Sequence, residues 1–366
     1  AARICGVCPV VHTLTSLKAL EKALNVEVSE RTILLRKLMM LGQIINSHAL
    51  HLFFFSLSDF FGFKNDLALI KKFPERAKDA LAIRAFGNRL IEVIGGRSIH
   101  PLTPTIGGFL KLPNIKNLGA LFSQSDEVLA ASQRMAKLFI KLNYPDFTRA
   151  APYVSLQASH EYAIYDGLIK TPAEQKATPD EFLKIVNEYQ LTGSAAKRSH
   201  YFGKPFMVGA LSRVNHHHAQ LNPEAKKLLK TSKMRPPSFN SFHNILAQAI
   251  EITHCVEEIK KLLRRALMTN LESEKINFSP RAGQGTAAIE APRGTLYYYY
   301  ETNSAGLIEN CNIITPTAQN LARLEEDLKE YIHKQLISPS DEDFIYINSF
   351  LFSAETLVKY LKRLSH

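Results

Sequence analysis

A mainly α chain with small β hairpins, an α+β fold, is predicted by three observations. Apolar residues recur at helical spacing in several long segments, short aromatic runs alternate between turns, and strands and helices do not alternate as a parallel sheet requires. Long helices docking on each other, decorated by hairpins, satisfy all three.

Taken in order, Thr13 is placed to cap a helix whose apolar positions are Leu14, Leu17, Leu20, Leu24 and Val28. A second helix is expected over Ile33 to Leu57. A charged stretch from Lys64 to Lys78 leads into a third helix around Ala80 to Ile94, which Gly95-Gly96 and His100-Pro101 break. Asp126 to Leu142 is amphipathic, with Val128, Leu129, Met135, Leu138, Phe139 and Leu142 on one face. Residues 145–235 read as irregular with brief strands, Tyr153 to Leu156 among them, and Pro236-Pro237 marks the best internal break. Phe242 to Met268 is the longest helix, striped by Leu246, Ile252, Val256, Ile259, Leu263 and Leu267. Gly283, Gly285 and Gly294 bracket a second short-strand region, 283–316, in which Thr295 to Tyr300 pairs with Leu307 to Ile314. Asn320 is placed to cap a helix from Leu321 to Leu336, and Ser353 a last one to His366. One domain over 1–366 is expected, its helical core formed by 13–142, 242–268 and 321–364.

The 366 residues carry 45 Lys+Arg against 34 Asp+Glu, a hydrophobic fraction of 46%, and 17 each of Gly and Pro, which excludes disordered, collagen-like and disulfide-dense classes. The +11 charge permits nucleic-acid binding, but the best patch, Lys226 to Arg235, lacks a recognised fold motif and interleaved aromatics, so no nucleic-acid partner is expected. An acidic or cluster-bearing protein surface explains the charge equally well. The longest apolar stretch, Ile44 to Phe55, is interrupted by Asn46, Ser47, His48 and His51 and falls short of the roughly 20 residues that cross a bilayer. A buried helix is expected there, in a chain that is not itself membrane-spanning. No signal-peptide pattern is visible, and a chain that begins two residues before a dense motif reads as cut.

That motif is Cys5-Gly6-Val7-Cys8, with Gly6 expected to let the backbone turn so that both sulfurs face one ion. Taken alone the pair is a metal half-site, a redox dithiol or two inert cysteines. His12 is placed to ligate, or to hydrogen-bond a thiolate and tune it. A structural zinc site usually wants four protein ligands, and Cys255 and Cys311, the remaining cysteines, are isolated. Such cysteine usage points to a reducing compartment, and a cytoplasmic location is expected.

The longer string Arg3-Ile4-Cys5-Gly6-Val7-Cys8-Pro9 with His12 closely resembles the first metal-binding motif of the large, catalytic subunit of nickel-iron hydrogenases. Further blocks resemble the same family, especially its soluble cofactor-coupled multisubunit members: Ser47 to His51, Gly95 to Pro101 with Gly107-Gly108, Glu161 to Tyr165, Gly209 to Asn215, Glu290 to Thr295 and Asn312 to Asn320. They cover essentially the whole chain in the family's order. The resemblance implies that family's long-helix bundle and reversible oxidation of dihydrogen to protons and electrons at a nickel-iron centre. It assigns Cys5 as a terminal nickel ligand and Cys8 as a bridge to an iron that carries carbon monoxide and cyanide. His12, Arg3 and Pro316 would surround these ligands, with Arg293 and Thr317 directing hydrogen bonds at the cyanides. A buried anion needs such donors, and a guanidinium fork suits it. With four cysteines the chain cannot hold an electron relay, so iron-sulfur clusters are expected in a partner small subunit, with flavin- or nicotinamide-coupling subunits beyond it.

The family's second cysteine pair, which completes four thiolates, follows a Tyr-Asp-Pro lead-in near the C-terminus. Matching Tyr360 to that Tyr puts Arg363 at the first cysteine position and His366 at the second; guanidinium offers a metal no lone pair. Both ends lost from a catalytic subunit, or a diverged non-catalytic structural subunit of a hydrogenase-like complex, are the two explanations. As written, the chain is expected to be inactive alone. His216-His217-His218 is expected in a solvated loop, Tyr297 to Tyr300 in ordinary aromatic packing, and Gly283 and Gly285 outside any phosphate-binding pattern.

Overall fold

The computed structural model of the protein describes residues 1–63, 66–171, 176–269 and 278–337. The sequence-predicted helix beginning at Ser353 lies outside the described residues, as do Arg363 and His366. Helices α1 (Pro9–Leu24), α2 (Glu30–Ala49), α3 (Leu57–Phe60), α4 (Asp66–Lys72), α5 (Pro74–Gly95) and α6 (Ile115–Ile140) fill the first part of the chain, with a short hairpin β1 (Pro104–Thr105) and β2 (Gly108–Phe109) between α5 and α6. A π-helical turn, Leu50–Ser56, joins α2 to α3. The middle holds β3 (Ser155–Gln157), β4 (Leu168–Lys170), β5 (Lys176–Ala177), α7 (Pro179–Leu183), β6 (Val186–Gln190), β7 (Lys197–Tyr201), α8 (Ala210–His217) and α9 (Pro223–Thr231). The last part is α10 (His243–Met268), β8 (Gly283–Ala291), β9 (Gly294–Thr302), β10 (Ile308–Ile314) and α11 (Pro316–Ile337).

The core is a bundle in which α10 packs on α6 and α2, and α5 on α2 and α6. The α2–α5 crossing is closed by two glycines: a Cβ on Gly87 would stand 2.6 Å from the Gly42 carbonyl oxygen. The run Glu30–Phe60 is long and apolar enough to cross a membrane by composition, yet 72% of its most apolar window is buried inside the protein. It serves as the central core helix, the role expected from its interrupting polar residues.

Against this bundle α1 lays one face on a three-stranded antiparallel sheet of order β10-β9-β8. Gly283 and Gly285 permit the contact, since a Cβ on Gly285 would stand 2.2 Å from the Ala19 carbonyl oxygen and one on Gly283 2.0 Å from that of Ala23. A second, smaller core lies on the other side of the sheet, around Phe182, Phe206 and Tyr297.

Several boundaries differ from the sequence reading. Helix α1 begins at Pro9, a favoured first-turn residue, and Thr13 lies a turn inside, its hydroxyl donating to the Pro9 carbonyl at 2.8 Å. Helix α6 starts eleven residues before Asp126, where Asn114 caps it by accepting from the Lys116 N–H. Helix α11 starts at Pro316, with the Thr315 hydroxyl accepting from the Ala318 N–H; Asn320 is not the cap. Strand β8 was not expected, because its glycines and alanines carry little strand propensity and it forms through packing on α1.

Candidate metal centre

Cys5 follows a single 3-10 turn, Ala2–Ile4, and Cys8 is the N-cap of α1. The two sulfurs lie 2.8 Å apart, and Cys5 Sγ also accepts from the backbone N–H groups of Cys8 at 3.2 Å and Val7 at 3.4 Å. Donation from the Cys8 thiol, aided by those two amides, lowers the Cys5 pKa to about 5. Its partner moves the other way, since the proton that Cys8 donates to Cys5 is held more tightly and burial adds to the effect. Gly6 is not sterically required, for its φ is ordinary and a Cβ there would meet nothing within 4 Å. The turn closes instead through the Val7 and Cys8 amides that donate to the Cys5 sulfur.

One turn into α1, His12 brings a ring nitrogen into the cluster, with all three donor atoms within 4.8 Å of one another. Its Nδ1 is 2.7 Å from the Tyr298 hydroxyl on β9, and burial lowers its pKa to about 4, so the ring is neutral. Tyr300 repeats the contact one turn further along α1, 3.0 Å from the Ser16 hydroxyl. The tyrosine run therefore does more than pack: alternate hydroxyls pin α1, while Tyr297 faces the second core. Around the cysteines Ile4, Gly6 and Val7 are exposed.

Arg293 sits in the β8–β9 turn and lies close enough to Cys8 for its charge to favour the thiolate. Its Nη1 is buried without a hydrogen-bond partner. That is a strongly donating group left waiting for an acceptor. Its backbone oxygen is tied to α11 by the Asn320 side-chain amide at 3.1 Å, and the Asn320 side-chain oxygen accepts from the Val208 N–H. Pro316 is buried and Thr317 exposed in the first turn of α11, and Arg3 is exposed in the turn before Cys5. Cys255 is buried on α10 and Cys311 exposed on β10; neither joins the cluster.

Behind Arg293 lies a buried charge network that the sequence did not reveal. Arg213 of α8 donates through Nε and Nη2 to Glu251 of α10 and through Nη1 to Glu290 of β8. His48 of α2 and Tyr162 complete the Glu251 shell at 2.6 Å and 2.7 Å. Both His48 and His51 carry pKa values lowered first by burial and also by Arg293, to about 4 and about 3. The only sequence signal was that His48, His51, Tyr162, Arg213, Glu290 and Arg293 fall within the resembling blocks; Glu251 lies outside them, inside the long helix read over Phe242 to Met268. The expected solvated loop at His216 to His218 is corrected: His216 and His217 end α8, and His217 is fully buried, 2.6 Å from the Leu156 carbonyl, which a histidine reaches because α8 packs on β3.

The donor set offers two thiolates and one imidazole among the described residues. It does not fit a bimetal centre that needs four thiolates, although the unpartnered Arg293 nitrogen suits an anionic ligand near Cys8.

The family model described as nickel-dependent hydrogenase matches residues 1–72 and 153–337. Sulfhydrogenase 1 subunit alpha of Pyrococcus furiosus is 33% identical over 334 residues, 91% of this chain and 78% of the relative. Sulfhydrogenase 2 subunit alpha of the same organism is also 33% identical, over 93% of this chain and 80% of the relative. An NAD+-reducing nickel-iron hydrogenase in the dihydrogen-reduced state shares the fold, with a TM-score of 0.84 at 24% identity, covering 95% of this chain and 84% of the other. With the motif blocks in order and the family model matched over both halves of the described chain, this protein belongs to the nickel-dependent hydrogenase family.

Proposed function

We propose that this polypeptide is a non-catalytic structural subunit of a hydrogenase-like complex, built on the large-subunit scaffold. The observation that supports this reading is the donor set of the described residues: Cys5, Cys8 and His12 converge, and neither Cys255 nor Cys311 joins them. Two thiolates and an imidazole are a mononuclear rather than a bimetal donor set. An iron-sulfur small subunit is the proposed partner, with nicotinamide- or flavin-coupling subunits beyond it. The relatives support this: the two sulfhydrogenase proteins are alpha subunits, and the enzyme that shares the fold is NAD+-reducing. The free thiols fit a reducing, cytoplasmic setting.

One observation favours a second reading, the catalytic subunit that reversibly oxidises dihydrogen. Arg293 keeps a buried, unpartnered nitrogen near Cys8, which is what a cyanide-bearing iron requires of its surroundings. In that reading Cys5 and Cys8 are metal ligands, with two more thiolates from outside this sequence. Infrared spectroscopy of the complex from its native host separates the two. Absence of carbon monoxide and cyanide stretching bands, with no dihydrogen-dependent dye reduction, is expected; bands with activity would establish the catalytic reading.

A further inference from the structure

We propose that Cys5, Cys8 and His12 form a mononuclear site for one zinc-class divalent cation, with three protein ligands and an open fourth position. The inference rests on the non-catalytic reading above, and it follows from the mismatch between this donor set and a bimetal centre.

Two cysteine sulfurs and one imidazole are the ligand set of a three-coordinate protein site that borderline-soft cations accept, leaving the last position to water or an anion. Each donor is held by a different part of the fold. Cys5 Sγ is fixed by the amides of Val7 and Cys8, Cys8 by its place at the start of α1, and His12 by Tyr298. The Tyr298 hydroxyl lies 2.7 Å from Nδ1, so a bound ion would select the tautomer in which Nδ1–H donates to that oxygen and the Nε2 lone pair is free for the metal. A polar group that holds the far side of a ligating imidazole is the arrangement metal sites use to fix ring orientation.

The required movement is small. Ligand bonds of about 2.0–2.3 Å in tetrahedral array separate donors by roughly 3.5–3.8 Å. The sulfurs, at 2.8 Å, must open by about 1 Å, and the widest donor separation, 4.8 Å at most, must close by about the same amount. Cys5 is only half-buried and its neighbours Ile4, Gly6 and Val7 are exposed, so an ion from solvent reaches the sulfurs. Two thiolates neutralise the dication, and the Arg293 charge beside Cys8 then favours an anion or hydroxide over a neutral ligand at the open position.

Cobalt(II) is the probe, because tetrahedral thiolate coordination gives it intense visible bands and a sulfur-to-metal charge-transfer band. The reduced full chain is titrated anaerobically, with zinc competition afterwards. One cobalt per chain, displaced by zinc, is expected. Cys5→Ser and Cys8→Ser each remove charge-transfer intensity. His12→Gln keeps that band, alters the visible bands and weakens binding at least roughly 10-fold, and Tyr298→Phe, which retains all three ligands, weakens it about 10-fold. Circular dichroism of each variant without metal establishes that it folds. No saturable cobalt binding, unchanged binding in the cysteine variants, or wild-type spectra and affinity in both His12→Gln and Tyr298→Phe would overturn the site. Failure of the non-catalytic reading is seen separately, as diatomic infrared bands in the native complex, and needs no cobalt.

Discussion

Arg213 and Glu251 form a two-point ion pair with no exposure on either side: Nε and Nη2 each donate at 2.6 Å, and both side chains are fully buried. Desolvating both charges is costly, and the pair stands because every carboxylate oxygen of Glu251 and Glu290 is engaged, with Tyr162, His48, Thr295 and the Leu156 N–H completing the network. Arg213 holds Glu251 ionised well below the usual carboxylate range despite the opposing effect of burial. Through Arg213 the network joins α8 and α10 to β8, the strand that leads into the Arg293 turn.

Arg213→Met strands two buried carboxylates, Glu251 and Glu290. A loss of about 3–5 kcal/mol is expected in urea unfolding. A loss within experimental error would mean that the network is not closed as described.

Arg293→Met is expected to do the reverse. Its Nη1 is buried and unpartnered, so replacing the guanidinium with an apolar chain should leave the metal-free protein unchanged or stabilise it by about 1 kcal/mol. Destabilisation comparable to Arg213→Met would show that Arg293 is a structural ion rather than a group kept for a ligand.

How much of this was legible beforehand follows the physics of each signal. Helix α10 was readable almost to the residue because its apolar stripe is long and its ends are marked. Cys5, Cys8, His12 and Arg293 were found through a local motif and family-like blocks. The Arg213–Glu251–Glu290 network joins positions 38 and 77 residues apart, and nothing in a single sequence pairs one charge with another at that range. Asn320 is instructive in another way. An asparagine before an apolar run suggests a cap, but here its side chain clamps Val208 and the Arg293 carbonyl across elements, and Thr315 takes the capping role.

Gly283 and Gly285 marked turns in the sequence, whereas the structure uses them for helix–sheet contact. Gly285→Ala is expected to cost at least about 2 kcal/mol, because the new methyl group meets the α1 backbone at 2.2 Å. Gly6→Ala, with nothing within 4 Å, should stay within about 0.5 kcal/mol of wild type. Equal effects in thermal unfolding would contradict the close packing of α1 on β8.

His217 supplies a pH test away from the cysteines. Its Nε2–H donates to the Leu156 carbonyl, which leaves Nδ1 buried and bare, and burial lowers its pKa to about 4. The unfolded chain binds this proton near the ordinary value of about 6.5 and the native protein does not. Its contribution is therefore intact above that value and lost as pH falls toward 4, at about 1 kcal/mol per pH unit. Urea midpoints for His217→Gln should fall less steeply between pH 7 and 4.5 than those of wild type; parallel slopes would exclude His217 as a source.

The most direct measurement is the nickel, iron and zinc content per chain, after the iron-sulfur partner has been stripped from the complex purified from its native host. At most one divalent ion per chain and no stoichiometric iron is the result expected of a scaffold with two thiolates and one imidazole. One nickel together with one iron on this chain would contradict it, and would mean that a complete four-thiolate centre is assembled here.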